Sequence, residues 1–108
     1  MLYRIEISSV AEAEADKAFL WISRQVSAAQ AKDWYKGFLL AIRSLEKMPN
    51  RCSLARENEA FSLEVRQLLY GKGRNCYRIV FTVLESEKRV RILHCLHSSQ
   101  SATENPEK

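Results

Sequence analysis

Cationic side chains concentrate in the C-terminal half of this 108-residue chain, where they could act on an anion. Residues 63–97 contain seven Lys or Arg against three Asp or Glu, although the whole chain has a net charge of only +4. The most unusual of these cations is Arg78, which stands between Tyr77 and Ile79 in an otherwise apolar run. A guanidinium in such a run needs either a partner or a function, so Arg78 is the first candidate for a functional residue.

A phosphodiester is the substrate that these residue types would fit if the chain were an enzyme. Cleavage of RNA needs a base for the 2′-hydroxyl, an acid for the leaving oxygen and cations for the charged transition state. His97 or Glu64 could transfer the protons, although His97 could equally be a surface histidine at a strand end. The candidate cations, which would bind RNA or another target, are Arg66, Lys72, Arg74, Arg78 and Arg91.

The spacing patterns of several other chemistries are missing. Gly71-Lys72-Gly73 is too short for a phosphate loop and lies between two predicted strands. His94 and His97 are expected on opposite faces of one strand, so they do not form a metal pair. The three cysteines are an odd number without C-x-x-C spacing, which predicts reduced thiols in the cytoplasm. We therefore expect neither a metal ion nor a cofactor.

The N-terminal half must supply the elements that position these residues. Residues 2–7 alternate between apolar and polar side chains, as in a strand with one buried face. Ser9 and Glu12 form a capping box that predicts a helix over residues 10–26, and Ser27 with Gln30 predicts the start of a second helix. The second helix should end at Pro49, because proline cannot continue the hydrogen-bond ladder.

The C-terminal half predicts three strands and one loop. Residues 65–70, 76–84 and 89–97 are rich in strand-forming side chains, and short polar turns separate them. In the last strand, simple alternation places Val90, Ile92, His94 and Leu96 on one side. Residues 51–62 have no clear period, so a solvated loop is expected there.

These elements predict an α+β domain of β-α-α-β-β-β order, in which a helical hairpin packs on one face of an antiparallel sheet. Residues 1–97 are expected to form this single domain, and residues 98–108 a flexible tail. The contents of hydrophobic residues (46%) and charged residues (28%) are those of a globular protein rather than a disordered one. No apolar run is long enough for a membrane span, and no signal peptide is evident. The second face of the sheet is left for solvent or for function.

The order of these segments resembles the RelE/ParE superfamily of toxins from type II toxin–antitoxin modules. Residues 3–16 look like the opening strand and first helix of that family, and residues 38–49 look like its second helix. The most recognisable segments are residues 65–68 (VRQL) and 70–81 (YGKGRNCYRIVF), and residues 92–97 look like the last strand, which ends in a histidine. The resemblance covers roughly residues 2–97.

The resemblance implies a growth-inhibitory toxin that a cognate antitoxin neutralises. RelE-like members cleave mRNA on the ribosome without a metal ion, whereas ParE-like members inhibit DNA gyrase and have no catalytic site. Arg78 and His97 match catalytic positions of the RelE-like type. However, no arginine follows Arg91, and Ser98-Ser99-Gln100 follows the last strand, where many active nucleases have a cationic or tyrosine side chain.

This departure slightly favours a ParE-like toxin. Two alternatives stay open, namely a ribosome-dependent mRNA endonuclease and an inactive relative that only binds its antitoxin. The oligomeric state, a homodimer included, also stays open.

Overall fold

The computed structural model describes residues 2–71 and 76–99. The main elements are β1 (Arg4–Ile7), α1 (Ser9–Gln25), α2 (Ala28–Arg43), β2 (Arg66–Tyr70), β3 (Tyr77–Leu84) and β4 (Arg89–His97). This order confirms the predicted α+β architecture. Two predicted cations, Lys72 and Arg74, lie outside the described residues, as do residues 100–108 of the expected tail.

The four strands form one sheet in the order β1-β4-β3-β2. The predicted meander is present, because β2 pairs antiparallel with β3 and β3 pairs antiparallel with β4. β1, however, runs parallel to β4, from Arg4 opposite Arg89 to Ile7 opposite Ile92. The sheet is therefore mixed rather than antiparallel throughout. Alternation of side chains predicts a strand and its buried face, but it does not indicate whether the neighbouring strand runs parallel or antiparallel.

Local capping sets the start of both helices. The hydroxyl of Ser27 accepts the backbone N–H of Gln30 at 3.1 Å, which confirms the predicted start of α2. The cap of α1 is Ser8, one residue before the predicted one, and its hydroxyl accepts the N–H of Ala11 at 3.0 Å. The hydroxyl of Ser8 also donates to the carbonyl of Leu93 at 3.1 Å, which connects the start of α1 to β4.

The main core lies between the helical hairpin and the sheet. Small side chains of α1 (Ala11, Ala15 and Ala18) face it together with larger ones from α2 and the strands. The buried members of α2 and its end are Ala31, Phe38, Ile42 and Leu45, as the helical spacing predicts. None of the described helices is long and apolar enough to cross a membrane.

Gly37 allows β2 to approach α2 closely. A Cβ atom at this position would lie 3.1 Å from Cζ of Tyr70 and closer still to its hydroxyl oxygen. That hydroxyl donates a hydrogen bond to the backbone carbonyl of Trp34 at 2.7 Å. A glycine inside a helix costs about 1 kcal/mol relative to alanine. Here the cost is offset by a helix-to-sheet hydrogen bond that a side chain would block.

A bulge in β4 changes which residues share a face. Val80 pairs with His94 and Phe81 with Ile92, so Leu93 is an extra residue in β4. Beyond the bulge, Cys95 joins Val90 and Ile92 in the main core, whereas Leu93 packs on the opposite side of the sheet. The simple alternation predicted for this strand is therefore wrong after Ile92.

The second face of the sheet is covered by residues 52–65, which we call the cover segment. Ala55 and Val65 pack there with Val80 and Leu93 in a second apolar cluster. The backbone N–H of Gln67 also donates to the backbone carbonyl of Ser53 at 3.0 Å, so the cover segment lies beside β2. The predicted loop over residues 51–62 is present and most of its residues are exposed, but it is not solvated throughout, because Cys52, Ala55 and Glu57 are buried.

Candidate functional site

Arg78 lies under the cover segment, where both terminal nitrogens of its guanidinium donate hydrogen bonds. Its side chain shares the face of Val80, and only 3% of the residue is exposed. The two terminal nitrogens donate to the two carboxylate oxygens of Glu57 at 2.8 and 2.5 Å. One of them also donates to Oε1 of Gln67 at 3.0 Å. This is a bidentate, charge-assisted pair that is almost completely removed from water.

Arg66 is also bound to the cover segment. Its guanidinium donates to the carbonyl of Cys52 at 2.6 Å and to the carboxylate of Glu64 at 3.0 Å. The hydroxyl of Thr82 donates to the carbonyl of Glu64 at 2.8 Å, which holds the same stretch against β3. Glu64, the alternative proton-transfer residue, therefore lies beside a cation and next to the sheet.

Arg56 links the cover segment to the end of β4. Its guanidinium donates to the carbonyl of Ser98 at 2.6 Å, and its Nε lies 3.9 Å from Glu57. About half of the Arg56 side chain is exposed, whereas only 6% of the Glu57 side chain is. The cover segment is thus fixed at β2, β3 and the residue after β4.

His97 ends β4 on the other face of the sheet. It pairs with Tyr77 across the ladder, and the two rings meet edge-to-face with centroids 5.4 Å apart. Tyr77 belongs to the main core, whereas Arg78 points toward the cover segment. The Nδ1 atom of His97 lies 2.9 Å from the hydroxyl of Ser99. The structure therefore does not bring Arg78 and His97, the two predicted catalytic residues, together.

Arg91 lies in β4, opposite Glu6 of the parallel strand β1. It donates to the carboxylate of Glu6 at 3.4 Å, and Arg89 donates to the same carboxylate at 2.6 Å and also pairs with Glu87. The hydrogen bond from Arg89 holds the pKa of Glu6 below its usual value. These interactions connect β1 to β4 on the side of β4 away from β3.

Glu14 binds the backbone of β4 where β1 no longer pairs with that strand. Sequence reasoning missed this role. β1 pairs with β4 only as far as Ile92. Beyond it, the carboxylate of Glu14 accepts the backbone N–H of Cys95 at 2.9 Å and lies 3.2 Å from Nδ1 of His94. His94 is 6% exposed, as expected for a core histidine. Burial, and then the nearby Glu14, raises the pKa of Cys95 to about 12.

Glu57 and Gln67 were also missed as partners of Arg78. The available signal was that a guanidinium in an apolar strand needs a partner, but nothing local indicated which residue supplies it. Within residues 2–71 and 76–99, no three His, Cys, Asp or Glu side chains are grouped so that they could hold a metal ion.

The comparisons with known proteins agree with this fold. Residues 5–102 match the profile of a family described as the ParE toxin of the type II toxin–antitoxin system parDE. The chain therefore belongs to the ParE toxin family, within the RelE/ParE superfamily that the sequence resembles.

The fold is also that of a solved structure, described as the chromosomal ParDE toxin–antitoxin system from P. aeruginosa. The TM-score is 0.71 at 17% identity, over 89% of this chain and 96% of that chain. No curated protein sequence matches the chain.

Proposed function

We propose that this ParE-family toxin stops growth by binding DNA gyrase in the cytoplasm, and that a cognate antitoxin neutralises it. No catalytic site of its own is needed for this activity. Membership of the ParE family supports the toxin and the antitoxin partnership, and the choice of a binding mechanism rests on the geometry of the candidate residues.

The state of Arg78 is the observation that carries the proposal. A nuclease needs a cation that can reach the phosphate oxygens in the transition state. Arg78 is 3% exposed and already donates to both oxygens of Glu57. A phosphate could reach it only after the cover segment had moved and a buried carboxylate had lost its partner. The cost of such a change is several kcal/mol.

The position of His97 supports the same conclusion. General acid–base catalysis requires its groups within hydrogen-bond reach of one substrate, directly or through a water molecule. His97 contacts Tyr77 on the helix side of the sheet, and Arg78 binds Glu57 on the cover side. The sheet itself therefore separates the two residues.

A supercoiling assay with purified gyrase tests the proposal. Relaxed plasmid, ATP and gyrase are incubated with increasing amounts of toxin, and we expect supercoiling to stop. Prior addition of the antitoxin should restore it. Translation of a defined mRNA by purified ribosomes provides the parallel assay, in which the mRNA should stay intact. Normal supercoiling together with cut mRNA would overturn the proposal.

The mRNA endonuclease is the second candidate, and one observation favours it. His97 is only partly buried and lies beside Tyr77, at the end of the sheet where the β2–β3 connection begins. That connection contains Lys72 and Arg74. If these residues cut RNA, His97→Gln should abolish growth arrest in a protein that stays folded. An inactive relative would instead leave growth, gyrase and mRNA unchanged while still binding the antitoxin.

A further inference from the structure

The outer face of α2 and the turn that follows it have a row of cations that the fold does not use. We call Lys32, Lys36, Arg43 and Lys47 the basic row, and all four residues are exposed. The first three are spaced by four and seven residues, so they share one side of the helix. At 1.5 Å of rise per residue, Lys32 and Arg43 lie about 17 Å apart along the helix axis. The core side of α2 is formed by other residues.

The charges of the basic row are not neutralised within the part of the chain that the structure describes. None of its four cations takes part in an ion pair there, whereas Arg66, Arg78 and Arg89 of the sheet all do. Arg51 adds a fifth cation at the end of the row, because its guanidinium donates to the carbonyl of Lys47 at 2.9 Å. The stretch from the start of α2 to Arg51 contains five basic and two acidic side chains. This side of the domain is therefore net positive at neutral pH.

A regular line of cations fits the phosphate backbone of a nucleic acid. Each lysine or arginine that neutralises a phosphate releases condensed counterions, and this effect supplies almost all of the affinity of sequence-independent binding. The exposed side chains in the middle of the row are Leu39 and Leu40, which cannot form hydrogen bonds with base edges. Contacts from this face would therefore go to the backbone and would not distinguish one base sequence from another.

The lack of an exposed ring on this side of α2 favours a duplex over a single strand. Proteins that bind single strands combine cations with aromatic side chains on which the bases stack. The aromatic residues of α2 are Trp34, Tyr35 and Phe38, and they pack on one another instead, with centroids 5.3, 5.9 and 6.3 Å apart. A duplex presents its phosphates in regular lines that a straight helix can follow.

The neighbouring helix limits the direction from which an anion can approach. Glu12 and Asp16 of α1 raise the pKa of Tyr35 on α2, after the effect of its burial, so their carboxylates lie near the seam between the helices. A flat anionic surface, such as a membrane, would meet these carboxylates as well as the basic row. A rod-shaped duplex that lies along α2 would place its phosphates on the row alone.

We infer that the basic row binds the phosphate backbone of duplex DNA without regard to base sequence. This contact goes beyond the proposed function and does not depend on gyrase being the target. If gyrase is the target, the row holds the toxin on the DNA that the enzyme acts on. With four phosphates neutralised, the logarithm of the binding constant should fall with the logarithm of the salt concentration with a slope of about −3.6.

Three double variants of the full-length chain test the inference. Lys36→Gln/Arg43→Gln removes two charges of the basic row, and Leu39→Ala/Leu40→Ala removes the leucines between them. The matched control is Lys17→Gln/Arg24→Gln, which removes two exposed charges from α1 and changes the net charge by the same amount. Circular dichroism and urea unfolding establish that each variant is folded. Affinity for a short labelled DNA duplex is then measured by fluorescence anisotropy at several salt concentrations.

We expect the wild type to bind the duplex about 150-fold more weakly at 200 mM salt than at 50 mM salt. In the row variant, the affinity at 50 mM salt should fall at least about tenfold, and the effect of salt should shrink to about 12-fold, because two of the four phosphate contacts are lost. The control and the leucine variant should stay within about threefold of the wild type. A folded row variant with unchanged affinity and salt dependence, or a wild type that does not bind the duplex at 50 mM salt, would overturn the inference.

Other uses of the basic row give different results in the same experiments. Tighter binding of the wild type to single-stranded RNA or to phosphatidylglycerol vesicles than to the duplex would overturn the inference. Loss of DNA binding in the leucine variant but not in the row variant would overturn it as well. Inhibition of gyrase by a toxin that does not bind DNA would overturn the inference and leave the proposed function standing. DNA binding through the row by a toxin that leaves gyrase active would support the inference and overturn the proposed target.

Discussion

Removal of the Arg78 guanidinium should unfold much of this protein. In Arg78→Ala, the carboxylate of Glu57 would stay buried without its main partner, since only 6% of that side chain is exposed. Breaking a buried ion pair in this way costs about 3–5 kcal/mol. A domain of this size has a total stability of about 5–15 kcal/mol. We therefore expect a large fall in the urea midpoint and a low yield of soluble protein.

Removal of both charges should be far less harmful. In Glu57→Leu/Arg78→Met, apolar side chains of roughly similar volume replace the pair, and such exchanges are often neutral or stabilising by about 1–4 kcal/mol. Gln67 is partly exposed and can bond to water instead. The double variant should be at least about 3 kcal/mol more stable than Arg78→Ala. As a control, Arg89→Ala removes ion pairs nearer the surface and should cost about 1 kcal/mol.

The assay combines unfolding with growth. Urea unfolding is followed by the fluorescence of Trp21 and Trp34, and growth is followed after induction at matched soluble levels. We expect the double variant to arrest growth, because the role of Arg78 is to stabilise the fold and the double variant stays folded. A wild-type midpoint for Arg78→Ala would refute the energetic reasoning. A stable double variant that no longer arrests growth would refute a purely structural role and return weight to the nuclease hypothesis.

Four further predictions concern the packing of the helices against the sheet. Gly37→Ala should destabilise the protein by about 1–3 kcal/mol, because loss of the Tyr70 hydrogen bond and overpacking exceed the roughly 1 kcal/mol gained in helix propensity. A double-mutant cycle of urea midpoints with Tyr70→Phe should show that Gly37→Ala costs less in the Tyr70→Phe background. Equal costs in the two backgrounds would contradict this account. Glu14→Ala should cost about 1–3 kcal/mol, since the buried N–H of Cys95 loses its acceptor, and Glu14→Gln should cost less because its amide oxygen can still accept. The pKa of Cys95 is raised to about 12, so its thiol should stay protonated and resist iodoacetamide in the native protein at pH 8. The partly buried Cys76 should react under the same conditions. Mass spectrometry of the alkylated peptides checks this, and rapid labelling of Cys95 would contradict it. The same raised pKa makes the stability contributed by the protonated Cys95 thiol decline between about pH 9 and pH 12, because the folded state then binds more protons than the unfolded one.

The candidate site could be predicted only in part. The sequence identified Arg78 as a cation that needs a partner or a function, and the structure supplies the partner, Glu57. The two residues are 21 positions apart in the chain. Glu57 stands within residues 51–62, which have no period that would indicate their path over the sheet. Catalytic roles for Arg78 and His97 stay predictions that the growth and cleavage assays will test.

The sequence by itself determined the elements, their order and the family. Helical spacing, the Ser27 cap and the strand-forming runs depend on interactions within a few residues, so they can be read locally. The tertiary structure alone decided the parallel pairing of β1, the bulge at Leu93 and the path of the cover segment. These features depend on contacts between residues that are distant in the chain, and their free energy has no local pattern in the sequence.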